Sequence, residues 1–264
     1  MVEPTSAIGK KSPECQKFLF GPWTISSWKS HILESEGAQR EKFEQELKLP
    51  QLPEMVFAEN FLRIDHQSGC GIDFNALDAL RLVDPHSDPI KVAASKEWQN
   101  ARSECQHIKN VVSPFDWTFT TDYRGTTFQE TPNILKIVPT LERIDIEKLK
   151  QKEPIHFYED ILLFEDELSD NGTSLLNVKV RVMPSSFFVL LRFFVRVDKV
   201  LIRINDTRLY HEAGSNYVLR EFTSREEATC HIPVALHTDP NAAFEHLKVT
   251  KEVFEKLEFL SETS

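Results

Sequence analysis

Between residues 187 and 197 every odd position is apolar: Phe187, Val189, Leu191, Phe193, Val195 and Val197. The even positions mix Phe188, Leu190 and Phe194 with Arg192 and Arg196. Strand side chains alternate between faces, so this period of two predicts a strand with one dry face and one half-wet face. A second strand-like run, Val200 to Asn205, follows after Asp198-Lys199 alone, which predicts a tight hairpin. With Val197 opposite Val200, Phe193 faces Ile204 and Leu191 faces Asp206 on the dry side, while Arg192 faces Asn205 on the other. Asp206 is then expected at the end of the dry face, where an unpaired carboxylate is costly. Arg192, Arg208 or a residue of another chain can partner it, or it bonds locally in the turn Asn205 to Arg208. The same run does not suit a bilayer, because Arg192 and Arg196 interrupt it and Asp198 ends it.

The rest of the chain reads mostly as short strands. Residues 18–33 alternate around Gly21-Pro22 and predict a strand pair. The segment 55–64 reads as a hairpin with Ala58-Glu59-Asn60 at its tip, and 71–84 opens as a strand. Residues 115–128 read as two short strands around a turn that ends in Gly125. Further strands are expected over 133–140, 156–168, 174–184 and 216–224. Helices are expected at 36–49, with Phe43 and Leu47 on one side, and at 95–108, capped by Ser95. A third is expected at 247–260, with Val253, Phe254 and Leu257 inward. Asp145 reads as the N-cap of another short helix, and Ile144 and Leu149 have the spacing of a hydrophobic staple across its first turn.

Many short strands with few intervening helices predict an α+β fold, mainly antiparallel, with two packed sheets edged by helices. Residues 1–17 are polar and unpatterned and read as a disordered arm. Residues 18–260 are expected to form a single β-rich domain, and 261–264 a tail.

Composition narrows the function. There are 31 basic and 41 acidic residues, giving a net charge of −10. That balance disfavours binding to nucleic acid or anionic lipid and favours solubility or a partner with a basic surface. Cys15, Cys70, Cys105 and Cys230 stand far apart, matching neither a disulfide framework nor a zinc motif. With no apolar leader at the N-terminus, a reduced, cytoplasmic protein is expected.

The search for chemistry finds no phosphate-cradling glycine loop with a lysine, no nucleophile elbow and no H-E-x-x-H. Two features admit a metal-dependent hydrolase: the acids Glu159, Asp160, Glu165, Asp166, Glu167 and Asp170, and the pair His211-Glu212 beside Asp206. The plainer reading of the first is an apolar strand, 161–164, with acidic ends that discourage edge pairing. Asp78, three residues before Arg81, reads as a local cap or ion pair.

Six passages carry a resemblance. They are "FGPW" (20–23), "LPEMVFAENFLRI" (52–64), "GIDFNALDALR" (71–81), "DWTFTTDYRGT" (116–126), "ILLFEDEL" (161–168) and "RVMPSSFFVLLRFFVRVDKVLIRINDTRLYHE" (181–212). Together they resemble the TOR signalling pathway regulator-like family in long motifs, in the expected order, from about Phe20 to Leu260. The resemblance implies a non-enzymatic regulator, without cofactors, that binds catalytic subunits of type 2A protein phosphatases and close relatives. Family members inhibit or remodel the phosphatase, take part in its biogenesis and connect it to TOR signalling, using a cleft that engages the phosphatase and its C-terminal tail. The positions matching the family's partner-contacting residues are Asp78, Ile144, Ile204 and Asp206. Ile204 stands where the family commonly has Met, and Asp198-Lys199 where Asp-Gly is usual.

Overall fold

The computed structural model describes residues 14–47, 49–83 and 117–259. Five strands, β1 (Glu14–Phe20), β2 (Trp23–Lys29), β4 (Phe61–His66), β5 (Cys70–Asn75) and β6 (Thr126–Gln129), form one antiparallel sheet in the order β1-β2-β4-β5-β6. The second sheet has eight strands in the order β3-β8-β9-β10-β11-β12-β13-β7. Its members are β3 (Met55–Val56), β7 (Leu135–Pro139), β8 (Phe157–Asp166), β9 (Gly172–Val182), β10 (Ser186–Val197), β11 (Leu201–Glu212), β12 (Tyr217–Ala228) and β13 (Lys248–Phe259). All its pairings are antiparallel too. Among the described residues four helices lie at the margins: α1 (Ala38–Glu46), α2 (Ala76–Leu80), α3 (Ile146–Lys150) and α4 (Pro240–Phe244).

One apolar cluster draws on both sheets, so they pack face to face. The small sheet supplies Ile25, Leu62, Ile64, Ile72 and Phe74, and the large sheet supplies Val178, Val180, Phe187, Val189, Leu191 and Phe193. Strand β9 shows why: its even residues from Ser174 to Val182 are buried and the odd ones between them half-buried. Each Val, Leu or Phe buried this way stabilises the fold by about 1.5–3 kcal/mol. Helix α1 buries Phe43 against this core, with Leu47 just beyond its end, as their spacing predicts.

Four sequence expectations are corrected. The β10–β11 hairpin pairs Val197 with Leu201, so the tip holds Asp198, Lys199 and Val200 rather than two residues. Lys199 adopts φ 62 there, and Val200 N–H donates to the Val197 carbonyl. This one-residue difference moves every pair: Asp206 faces Arg192 and Ile204 faces Phe194. The expected helix at 247–260 is β13, because its residues 253, 257 and 259 also fit a period of two and β12 offers an open edge. The segment 55–64 is a crossover between sheets: β3 pairs with β8 and β4 with β2 and β5. Over 117–129 a single strand forms, β6, preceded by a loop in which Phe119 has φ 55.

Strand β1 begins at Glu14, inside the span read as an arm. The helix predicted at 95–108 lies outside the described residues. Among them, no helix is long and apolar enough to cross a membrane.

Candidate functional site

The two faces of the large sheet differ in character. The odd side chains of β10 and β11 meet the small sheet, while the even ones form an outer face. Along β11 that outer row reads Ile202, Ile204, Asp206, Arg208, Tyr210. At its centre Asp206 is fully buried, 0% exposed. Arg192 Nε and Nη2 donate to its two carboxylate oxygens, both at 2.7 Å, and Arg208 Nη2 donates to Oδ2 at 3.2 Å. Asp206 is therefore in mid-strand, on the arginine face, and not in a turn or at the mouth of the dry face. The partners foreseen for it, Arg192 and Arg208, are the ones it has.

Two flaps cover the ends of this row. One, between β12 and β13, consists of the 3-10 turns Thr229–His231 and Val234–Leu236 followed by α4. Its Ile232, Ala243 and Leu247 pack on Phe194, Ile202 and Ile204, and Ile204 is wholly buried. The other lies between β7 and β8 and carries α3. Asp145 caps that helix, accepting from Glu147 N at 2.9 Å and Lys148 N at 3.2 Å. Ile144 and Leu149 share a cluster with Tyr210, Leu219 and Phe188, so the staple foreseen across the cap also clamps the flap to the sheet. Ile144 N–H donates to Glu221 Oε1 at 2.7 Å, fixing the entry of the flap. Each flap has an apolar residue in solvent, Val234 at 80% and Leu141 at 91%. The outer face is thus a floor of paired charges between two apolar lips.

Asp78 is elsewhere. It lies in α2, whose N-cap Asn75 accepts from Asp78 N–H at 2.8 Å. Its carboxylate accepts from Asn75 Nδ2, Thr126 Oγ1 and Arg81 Nη1 at 2.9, 2.6 and 2.6 Å. Burial opposes its ionisation, but the hydrogen bonds from Thr126 and Asn75 and the Arg81 guanidinium outweigh it and hold the carboxyl below its ordinary range. Of the two roles the sequence admits for Asp78, cap or ion pair, the structure shows the ion pair with Arg81, while the cap itself is Asn75. The loop 117–125 joins α2 to the inner face of β11: Thr121 Oγ1 donates to the Ala79 carbonyl, Asn205 Nδ2 to the Thr121 carbonyl, and Thr207 Oγ1 to the Tyr123 carbonyl. Three of the four candidate positions therefore share the outer face, and Asp78 reaches it only through the strand's other side.

Comparison with known proteins places this architecture. Residues 55–232 match the TIP41-like family. A "TIP41-like protein" of Rattus norvegicus is 55% identical over 247 residues, covering 92% of this chain and 90% of that protein. The "Type 2A phosphatase activator TIP41" of Saccharomyces cerevisiae is 40% identical over 214 residues, covering 75% and 59% respectively. The "Type 2A phosphatase activator tip41" of Schizosaccharomyces pombe is 33% identical over 253 residues, covering 92% and 98%. The chain belongs to the TIP41-like family.

Within this TIP41-like chain the residues drawn as half a metal site do not converge. Successive strand positions point to opposite faces, so His211 lies inward and Glu212 outward. His211 Nε2 accepts from Trp23 Nε1 at 2.9 Å, and its Nδ1 lies 2.9 Å from the Tyr217 carbonyl, so both ring nitrogens are engaged. Glu212 pairs with Lys148. The acids of β8 are likewise dispersed. Glu159 pairs with Lys29, Asp160 with Lys179, and Asp166 accepts from Glu54 N and Leu168 N. Strand β3 covers only Phe164 and Glu165 of β8, so the half of β8 that carries Glu159 and Asp160 pairs with β9 alone. Among the described residues no three His, Cys, Asp or Glu side chains come together as metal ligands.

The residues that sequence reasoning underrated are arginines. Arg192, Arg208 and Arg225 stand over the ring of Phe244 in α4, at 5.7, 5.5 and 4.4 Å from its centroid. The one available signal was the pair of arginines interrupting the apolar run 187–197. Arg225 and Phe244 are too distant in sequence to be read with them.

Proposed function

We propose that this chain is a non-catalytic regulator that binds the catalytic subunits of type 2A Ser/Thr protein phosphatases and their close relatives. It remodels or inhibits them in the cytoplasm, within phosphatase biogenesis and TOR signalling. The observation that carries this reading is membership of the TIP41-like family, with two yeast relatives named type 2A phosphatase activators, over a matched span that contains Asp78, Ile144, Ile204 and Asp206. The floor-and-lips surface supports it, because an apolar rim around a polar, charged centre suits an extended segment such as the phosphatase C-terminal tail. In this reading Ile144 and Ile204 anchor the two lips, Asp206 organises the floor, and Asp78 braces β11 from behind.

The test is binding of the full chain to a purified type 2A catalytic subunit, with and without its C-terminal tail, together with phosphatase activity. A stable complex that weakens when the tail is removed is the expected result. Binding indifferent to the tail moves the interface off the outer face. Absence of binding overturns the reading, and the activity measured in the complex separates inhibition from activation.

A further inference from the structure

We propose that Arg192, Arg208 and Arg225, gathered on the ring of Phe244, form a seat for a carboxylate of an acidic partner segment. Asp206 is the positioning residue that holds two of these arginines at the seat. The inference deepens the proposed function and rests on it.

Burial decides the role of Asp206. At 0% exposure, with both oxygens engaged, it presents nothing to a partner. The guanidinium groups around it remain reachable, the Arg192 and Arg208 side chains being 13% and 23% exposed. Each guanidinium offers five N–H donors in a planar fork suited to carboxylates. Within the described residues the three arginines find four acceptors: the two oxygens of Asp206, Asn241 Oδ1 and the Leu247 carbonyl. Arg225 Nε is buried without a partner, and so is the hydroxyl of Thr223, which lies opposite Asp206 in the β11–β12 register. Donors are therefore in surplus on this floor.

Charge points the same way. The chain carries −10 overall, yet three cations meet at one aromatic ring. The strand register places three carboxylates near them on that face: Asp206, Glu221 opposite Arg208, and Glu252 opposite Thr223. The ring of Phe244 restrains the guanidinium planes by cation–π contact, so less freedom is lost when an anion is bound.

The experiment compares the parent chain with Arg208→Gln, Arg208→Lys and Asp206→Asn, measuring affinity for a type 2A catalytic subunit across a salt series. Thermal midpoints control for folding, and Arg208→Gln, at a partly exposed position, keeps the test open where Asp206→Asn unfolds. Arg208→Gln is expected to weaken binding about tenfold or more and to flatten its salt dependence, as loss of an interfacial charge does. Arg208→Lys restores part of the salt dependence. An Arg208→Gln chain with parental affinity and parental salt response overturns the seat. Where the parent itself fails to bind the phosphatase, the proposed function fails instead. The seat is then judged with hexaglutamate against hexaglutamine: selective binding of hexaglutamate that Arg208→Gln abolishes upholds it, and equal or absent binding of the two ends it.

Discussion

Replacing Asp206 by Asn tests the centre of the outer face at the level of stability. The substitution keeps shape and removes charge, so packing changes little. The structure sets the magnitude. Three charge-assisted hydrogen bonds converge on the carboxylate, at 2.7, 2.7 and 3.2 Å. In the variant one oxygen becomes an NH2 group pointed at a guanidinium that can only donate, so the bidentate grip of Arg192 is lost. Breaking a buried ion pair from one side costs about 3–5 kcal/mol. Both arginines are partly exposed and can turn towards water, which reduces the expected loss to about 2–3 kcal/mol. For a chain of this size that is a fall of about 4–12 °C in thermal midpoint. Differential scanning calorimetry of parent and variant at neutral pH measures it. The double variant Arg192→Met/Asp206→Leu removes the bidentate pair and leaves only the partly exposed Arg208 to turn towards water, so it is expected to recover part of the loss. A midpoint for Asp206→Asn within a degree of the parent, in a folded chain, would refute the claim that the buried Asp206 carboxylate contributes to stability through its arginine partners.

Other outcomes follow from particular positions. His66 and His211 both have pKa values below that of an ordinary imidazole because burial penalises their charged forms, with the two rings adding mutual repulsion at His211. The unfolded chain titrates these groups near 6.5 and binds protons that the folded chain resists. Stability is thus fully present above about pH 6.5 and declines as pH falls through the lower folded values, so thermal scans from pH 7.5 to 5 should show a falling midpoint. A rising one would contradict the neutral Trp23–His211 hydrogen bond. Lys199→Gly relieves a positive φ at the hairpin tip and should raise stability by about 0.5 kcal/mol, read as a shift in the urea midpoint at constant slope. Gly172→Ala, at φ 150, places a methyl group onto the Arg196 carbonyl and should cost about 2–3 kcal/mol in the same assay. Ile144→Ala empties the staple of α3 and should cost about 2–4 kcal/mol, unless the flap collapses onto Tyr210 and makes the loss smaller.

What the sequence disclosed was local. The alternation in β8, β9 and β10, the Asp145 cap with Ile144 and Leu149 beside it, and the Asp78–Arg81 pair all depend on neighbours within a few residues. The misread features depend on partners far along the chain. Lys199 accepts a left-handed conformation because eleven further pairs of β10 and β11 reward it, which moves Asp206 to the other face. Residues 248–259 satisfy helical and strand periods together, and the edge of β12 decides between them. Met55 and Phe61 look like one hairpin because nothing near them shows that they belong to different sheets. The arginine cluster needed β10, β11, β12 and α4 to come together, and no single segment contains that information.

The two flaps have a consequence for how the molecule opens. Each is inserted between strands that pair with one another or with their neighbours regardless of it, and each is held down by one small apolar cluster of its own. Local unfolding of a flap therefore leaves every ladder of the large sheet intact. Amide hydrogens of β10 and β11 should exchange with deuterium only on the timescale of global unfolding, while those of α3 and α4 exchange through smaller, separate openings. The surface is in this sense a hard bed with two independently hinged edges, and a long segment laid on the bed can be closed over at one end before the other.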